Sequence, residues 1–381
     1  MLKTFKVRNY KNFKEELVLN FGEVGGYKFS QDCITDNVIS KMIIYGKNAT
    51  GKTNLGEALL DITTNFRDMI FWGNIDYSYV NADTTDKEVD FFYEFVLGGK
   101  RLIYEYSKYA QDIMKGEKLF IEEECVFEVN FDKKEVVINH LALVDAESVI
   151  ISKYIDALQN QNEEIGMRTL PFIRWLIANT ALEADNILLK LSDYVSRMTI
   201  ISVGSFTNFR RFHYDKFFQL LAENHQLNDF EDFLNKMGIE CELYLEENLD
   251  GTYLLYFKHE NGLIPFVRNA SSGTLALVRL YQNLVSVRRS SFLYMDEFDA
   301  FYNYELAENV VKILKAKYPE CQIVLTSHNT NLMTNRILRP DCLLILSRYG
   351  LTPLSRATER ELREGHNLEK MYIGGEFSKY E

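Results

Sequence analysis

Apolar residues follow two spacings along this chain, and the switches between them outline its elements. Leu17, Leu19 and Phe21 fall at every second position, the period of a strand with one buried face. Residues 2–21 are therefore predicted to form two strands around the turn-like Asn9-Tyr10-Lys11-Asn12. Residues 41–46 (KMIIYG) read as a short buried strand, after which Leu55, Leu59, Ile62 and Phe66 recur at helical spacing. Alternation returns over 88–144, with one hairpin expected around Gly98-Gly99 and a second over 124–144.

Residues 147–238 take helical spacing, most clearly at 147–160, 170–198 and 230–238. A hairpin over 253–267 follows, with Asn261-Gly262 predicted at its tip as a type I′ turn. Beyond it helix and strand alternate: Leu277, Leu280 and Leu284 mark a helix behind residues 268–274, and apolar runs stop at Asp296 and at Ser327-His328. The whole predicts an α/β fold, a mixed sheet flanked by helices. No internal repeat, low-complexity tract or flexible linker divides it. Residues 1–145 and 251–381 are therefore read as two parts of one head, with 146–250 as an inserted α-helical subdomain.

With 381 residues, 46% of them hydrophobic, the chain can fill such cores. A formal net charge of -12 makes the surface as a whole repel phosphate backbones and anionic membranes. DNA then binds only through a local basic patch or another protein. Five scattered cysteines with no C-x-x-C pair read as reduced core thiols, and the 26 Phe and 23 Tyr read as core packing. The N-terminal stretch lacks the apolar block of a signal peptide, and no stretch approaches about 18 uninterrupted apolar residues. A soluble cytoplasmic protein without membrane contact is expected.

Candidate chemistry starts at residues 43–54, IIYGKNATGKTN, where Gly46, Gly51, Lys52 and Thr53 satisfy G-x-x-x-x-G-K-[ST] between a predicted strand and a predicted helix. The glycines let backbone N–H groups wrap phosphates, Lys52 reaches the β and γ oxygens of ATP, and the Thr53 hydroxyl ligates Mg²⁺. Asn48 and Asn54 join these as candidate ATP contacts. The run SFLYMDEFD (291–299) delivers two acids from the end of a buried strand. Asp296 suits the metal, and Glu297 suits the attacking water as its base; by itself such a run is also an ordinary strand end facing solvent. His328 ends the strand QIVLTS at the side where open α/β sheets take ligands. It is a candidate catalytic sensor of the γ-phosphate, against a purely structural role. Ser271, Ser272, Gly273 and Thr274 open a helix, either as an ordinary cap or as an anion site. If they hold phosphate, it belongs to another subunit, since Lys52, Asp296 and His328 already surround the first.

These four pieces in this order resemble the ATPase heads of the ABC class, in particular the SMC/RecF-like branch, and most of all the compact RloA-like AAA-type proteins of bacterial phage defence. GKTNLGEALL, FKVRNYKNF, SSGT, SHNTNL and REGHNLEKMYIGGEF carry the resemblance, which covers about 1–110 and 250–381. It implies an ABC-type P-loop ATPase head and a signature, Ser271 to Thr274, that acts in trans on the ATP of a second head. It further implies a homodimer or higher oligomer and a separately encoded effector protein, a nuclease for instance. Three positions depart from the pattern: no glutamine stands where the metal-coupling loop is expected, Asn303-Tyr304 replaces His-Pro, and Ala49 replaces a loop glycine.

The leading expectation is thus an ATP-hydrolysing dimeric switch in antiphage defence, the chain ending where the head is complete while OLD-type relatives continue into a nuclease. An SMC/RecF-like repair ATPase gripping DNA through 209–212, 287–290 or Arg356, Arg360 and Arg363 is one alternative. A non-hydrolysing ATP-bound scaffold is another, disfavoured by the intact Glu297 and His328.

Overall fold

A computed structural model describes residues 1–67, 79–160, 169–203, 213–286 and 288–380. Six strands form the sheet that carries the site, in the order Met198–Ser202, Phe292–Asp296, Gln322–Ser327, Lys41–Tyr45, Leu343–Ser347 and Gly350–Pro353. The first five run parallel and the last is antiparallel. Strands in a parallel sheet are covered on both faces. Accordingly, every residue of Lys41–Tyr45, Phe292–Asp296, Gln322–Ser327 and Leu343–Ser347 is buried, the physical basis of their unbroken apolar runs. Parallel register also aligns their carboxyl ends, so Tyr45 lies beside Ser327.

A second sheet of seven antiparallel strands runs Glu135–Ile138, Glu124–Asn130, Ile113–Ile121, Lys100–Ala110, Val89–Leu97, Leu2–Arg8 and Leu17–Asn20. The helix Lys52–Leu60 lies between the two sheets. On one side Gly56 admits the Tyr294 ring, where an added Cβ would come within 2.5 Å of it. On the other, the Tyr93 hydroxyl donates to Ala58 O at 2.8 Å.

The C-terminal end of this helix is fixed by a buried polar network. Asp61 accepts from Lys108 Nζ at 2.6 Å, Tyr106 Oη at 2.9 Å and Tyr79 Oη at 2.7 Å. Lys108 also donates to Thr64 at 2.7 Å. Farther along, Asn65 donates to Tyr104 at 3.3 Å and Tyr104 to Glu117 at 2.7 Å, and Glu117 accepts the backbone N–H groups of Phe172 and Ile173 at the start of a helix in the middle segment. Burial pushes the Glu117 carboxyl up to about 7, opposed by the Tyr104 hydroxyl and those two amides.

Several expected elements shift. The 170–198 helix is two, Phe172–Asn179 and Ile187–Ser196, because the Asn186 side chain caps the second by accepting from Leu188 N. Met198–Ser202, expected within a helical middle, pairs in parallel with Phe292–Asp296 and forms one edge of the site sheet. Glu242–Glu247 likewise leaves the helical span to pair with Tyr253–His259. The hairpin tip falls on Glu260-Asn261, since His259 pairs with Gly262, and neither Asn261 nor Gly262 has the positive φ of a type I′ turn. At Gly98-Gly99, by contrast, Leu97 pairs with Lys100 and both glycines are left-handed, as a type I′ turn requires. Ile113–Ile121 was not expected as a separate strand: two lysines, a glutamate and a glycine obscure its period.

Candidate functional site

The carboxyl ends of the central strands open onto a cleft of about 470 Å³ lined by Asn48, Gly51, Lys52, Thr53, Asn54, Asp296, Glu297 and His328, together with Asn12. Such a volume lies within the ~300–1,000 Å³ usual for small-molecule sites. Its floor is the loop between Lys41–Tyr45 and Lys52–Leu60. Gly51 has φ 100°, a conformation that strains any other residue, and a Cβ there would meet the Asn12 side chain at 2.3 Å and displace it. Ala49 stands where glycine was expected and still adopts the left-handed conformation, at φ 62°. The Lys52 ammonium donates to Gly46 O at 2.8 Å and Lys47 O at 3.1 Å, and lies 3.5 Å from His328 Nδ1. Burial lowers its pKa, opposed by Asp296 and Glu297.

The acid strand meets this loop directly. Thr53 Oγ1 donates to Asp296 Oδ2 at 2.7 Å, and Thr326 Oγ1 donates to Asp296 Oδ1 at 2.7 Å. Glu297, the next residue, is half-buried with φ 49°, off the strand path. His328 is exposed at the cleft edge; its neighbour Ser327 donates to Asp299 Oδ2 at 2.6 Å and accepts the Asn329 N–H at 2.8 Å. Burial raises the Asp299 carboxyl above the ordinary aspartate range, with the Ser327 hydrogen bond opposing it.

Hard oxygen ligands suit Mg²⁺, which is usually held by one or two carboxylates plus substrate phosphates. The convergent Thr53 hydroxyl and Asp296 carboxylate fit that pattern. Among the described residues no three His, Cys, Asp or Glu side chains group as a metal site. The helix start with its free N–H groups, the left-handed loop and the Lys52 charge suit a polyphosphate.

Ser271, Ser272, Gly273 and Thr274 do not line this cleft. Ser271 caps the helix Ser272–Ser286, its Oγ accepting Thr274 N–H at 3.0 Å and bonding Thr274 Oγ1 at 2.8 Å. Ser271 and Ser272 are exposed. Asn303, one of the departures, caps the helix Tyr304–Lys317 by accepting from Leu306 N at 2.9 Å.

Three residues near the site were not anticipated. Asn12 donates to Thr50 O at 3.0 Å and accepts from Asn54 Nδ2 at 2.7 Å, so the first turn of the chain roofs the loop. Asp299 braces Ser327, and Thr326 braces the acids. A threonine inside the apolar run QIVLTS was the one local signal for the last.

Residues 41–334 match the family described as "AAA domain, putative AbiEii toxin, Type IV TA system". The chain is also similar to a solved SMC head bound to the C-winged helix domain of ScpA, with TM-score 0.51 and 12% identity over 94% of this chain and 99% of that chain. That likeness shows the fold. The SMC head domain from Thermotoga maritima aligns at TM-score 0.46 and 15% identity over 92% of this chain and 98% of that one. Among curated proteins none matches. The matched span takes in every cleft residue from Asn48 to His328, and the chain belongs to this AAA family, an ATPase-type nucleotide-binding domain with the fold of an ABC/SMC-type P-loop head.

Proposed function

We propose that this chain hydrolyses ATP and uses the cycle as a dimeric switch. The observation that carries the reading is the meeting, in one cleft, of Lys52, Thr53, Asp296, Glu297 and His328 from three separate strand ends. Mg²⁺ held by Thr53 and Asp296 would neutralise charge on the phosphate oxygens. Lys52 exchanges its bonds to Gly46 O and Lys47 O for phosphate oxygens, since loop carbonyls at 2.8 and 3.1 Å are easily replaced by stronger anionic acceptors. Glu297 orients the attacking water and takes its proton, and His328, held between braced Ser327 and Asn329, donates a hydrogen bond to the γ-phosphate. Gly46, Asn48, Gly51 and Asn54 complete the ATP contacts.

Ser271, Ser272, Gly273 and Thr274 act across a dimer on the partner's nucleotide. The exposure of Ser271 and Ser272, and the place of all four outside the cleft of their own chain, support this. The antiphage setting, with a separately encoded effector, rests on the resemblance above and on the family description, which names an AbiEii toxin of a type IV toxin–antitoxin system. A cytoplasmic location fits, and no helix among the described residues is long and apolar enough to cross a membrane.

Four of the arginines that suggested direct DNA binding face carboxylates of this chain. Arg288 faces Asp229 at 3.8 Å, Arg360 faces Glu376 at 3.5 Å, Arg363 faces Glu361 at 3.1 Å, and Arg356 pairs with Glu23. Residues 209–212 lie outside the described residues. The proposal is tested by steady-state phosphate release from Mg·ATP together with light scattering. Turnover with nucleotide-dependent dimerisation is expected; ATP binding without turnover would leave the scaffold reading.

A further inference from the structure

Thr326 sits one residue before the end of the strand Gln322–Ser327 and is fully buried. Its hydroxyl donates to Asp296 Oδ1 at 2.7 Å and accepts the Glu297 backbone N–H at 2.8 Å. Asp296 Oδ2 already accepts from Thr53 at 2.7 Å. The carboxylate is therefore clamped between two threonines from different segments, which leaves little freedom of rotation. A hydroxyl has one proton to give. Giving it to Asp296 fixes the rotor and turns a lone pair toward the Glu297 amide.

That amide belongs to a residue with φ 49°, a region costly for side chains other than glycine, asparagine or aspartate. Such a conformation persists only where the surroundings hold it. Thr326 holds it from two sides, because its carbonyl also accepts the Phe298 N–H at 3.2 Å. Side chains alternate across a strand: Ser327 turns to Asp299 and the Asn329 amide, while Thr326 turns to the two acids. The preceding residues Ile323, Val324 and Leu325 are all apolar and buried. An apolar side chain would satisfy packing at 326 equally well, and burying a hydroxyl there is unfavourable unless it is bonded.

We infer that Thr326 is the positioning residue for both acids of the site: its single hydroxyl aims the Asp296 carboxylate and fixes the backbone from which Glu297 reaches water. The inference rests on the ATPase reading above.

The test compares Thr326→Ser with Thr326→Ala, which both lose the methyl and differ only in the hydroxyl. Thermal melting establishes that each folds, and Thr326→Val, close in volume, replaces the alanine variant if that one does not. Phosphate release is measured against Mg²⁺ concentration, and affinity for a fluorescent ATP analogue is measured in Mg²⁺ and in EDTA. The serine variant should stay close to wild type. The alanine variant should lose about 10²-fold in kcat and need about tenfold more Mg²⁺ for half-maximal effect, with affinity in EDTA unchanged. An alanine variant with wild-type rate and Mg²⁺ dependence would overturn the inference, as would a serine variant impaired as far as alanine. So would a lowered melting temperature with no change in Mg²⁺ dependence, which would make the residue merely structural. A wild type that binds but never turns over ATP sinks the ATPase reading instead. In that case the ratio of affinities in Mg²⁺ and EDTA, which needs no turnover, still decides whether Thr326 aims Asp296.

Discussion

Thr53 and Asp296 lie 243 residues apart in the chain and 2.7 Å apart in the structure, hydroxyl to carboxylate. Two groups that share one hydrogen bond and would share one ion cannot act independently. In a double-mutant cycle on Mg²⁺-dependent nucleotide affinity, Thr53→Ala and Asp296→Asn should each weaken binding. The double variant should lose less than the sum of the two by about 1 kcal/mol. Strict additivity would separate the pair functionally.

Lys52→Ala should abolish ATP binding while leaving the fold intact. The ammonium bonds only to loop carbonyls and approaches His328, so little of the core depends on it. Isothermal titration on a variant with wild-type melting behaviour checks this; undiminished affinity would remove the loop from the site.

Glu297→Gln keeps shape and hydrogen bonding but removes the proton acceptor, so the rate should fall roughly 10²–10⁴-fold with ATP binding spared. The stalled protein should accumulate as a closed dimer in Mg·ATP, seen by size exclusion with light scattering and by protection of residues 271–274 from protease. Hydrolysis at the wild-type rate would reject the assignment of the base.

The trans role proposed for Ser271 to Thr274 predicts complementation. Ser271→Arg blocks the exposed helix start, and Lys52→Ala disables the loop. A mixture of the two chains contains dimers with one intact composite site, and part of the ATPase activity should return. Mixed dimers that form but remain inactive would place the signature outside the reaction.

Glu117 makes stability depend on pH. Its carboxyl is held up at about 7 by burial, against about 4.3 in an unfolded chain. The folded state therefore binds more protons between those values, and stability falls as pH rises from about 4 toward 7, then levels off. Relative to Glu117→Gln, which cannot ionise, the wild type should lose on the order of 3 kcal/mol across that window. Melting curves of both proteins at pH 5 and pH 8 measure the difference, and a pH-independent gap would contradict it.

The candidate site segments were legible in the sequence, because each is local. An apolar run, a glycine loop and a helical period within residues 41–66 suffice to place Lys52 and Thr53 at a helix start. Buried parallel strands announce themselves as unbroken apolar runs, which brought out Asp296 and His328 at strand ends. What stands opposite those residues follows from packing between distant segments. Met198–Ser202 has a mixed burial pattern that carries no clear period, and its place at the sheet edge follows from pairing with a strand about 90 residues later. Asn12 reaches Thr50 and Asn54, Asp61 meets Lys108, and Thr326 meets Asp296 across separations of 30 to 47 residues. Contacts at that range leave no periodic trace: a buried polar side chain gains its partner only when packing excludes water and leaves one geometry that satisfies both groups.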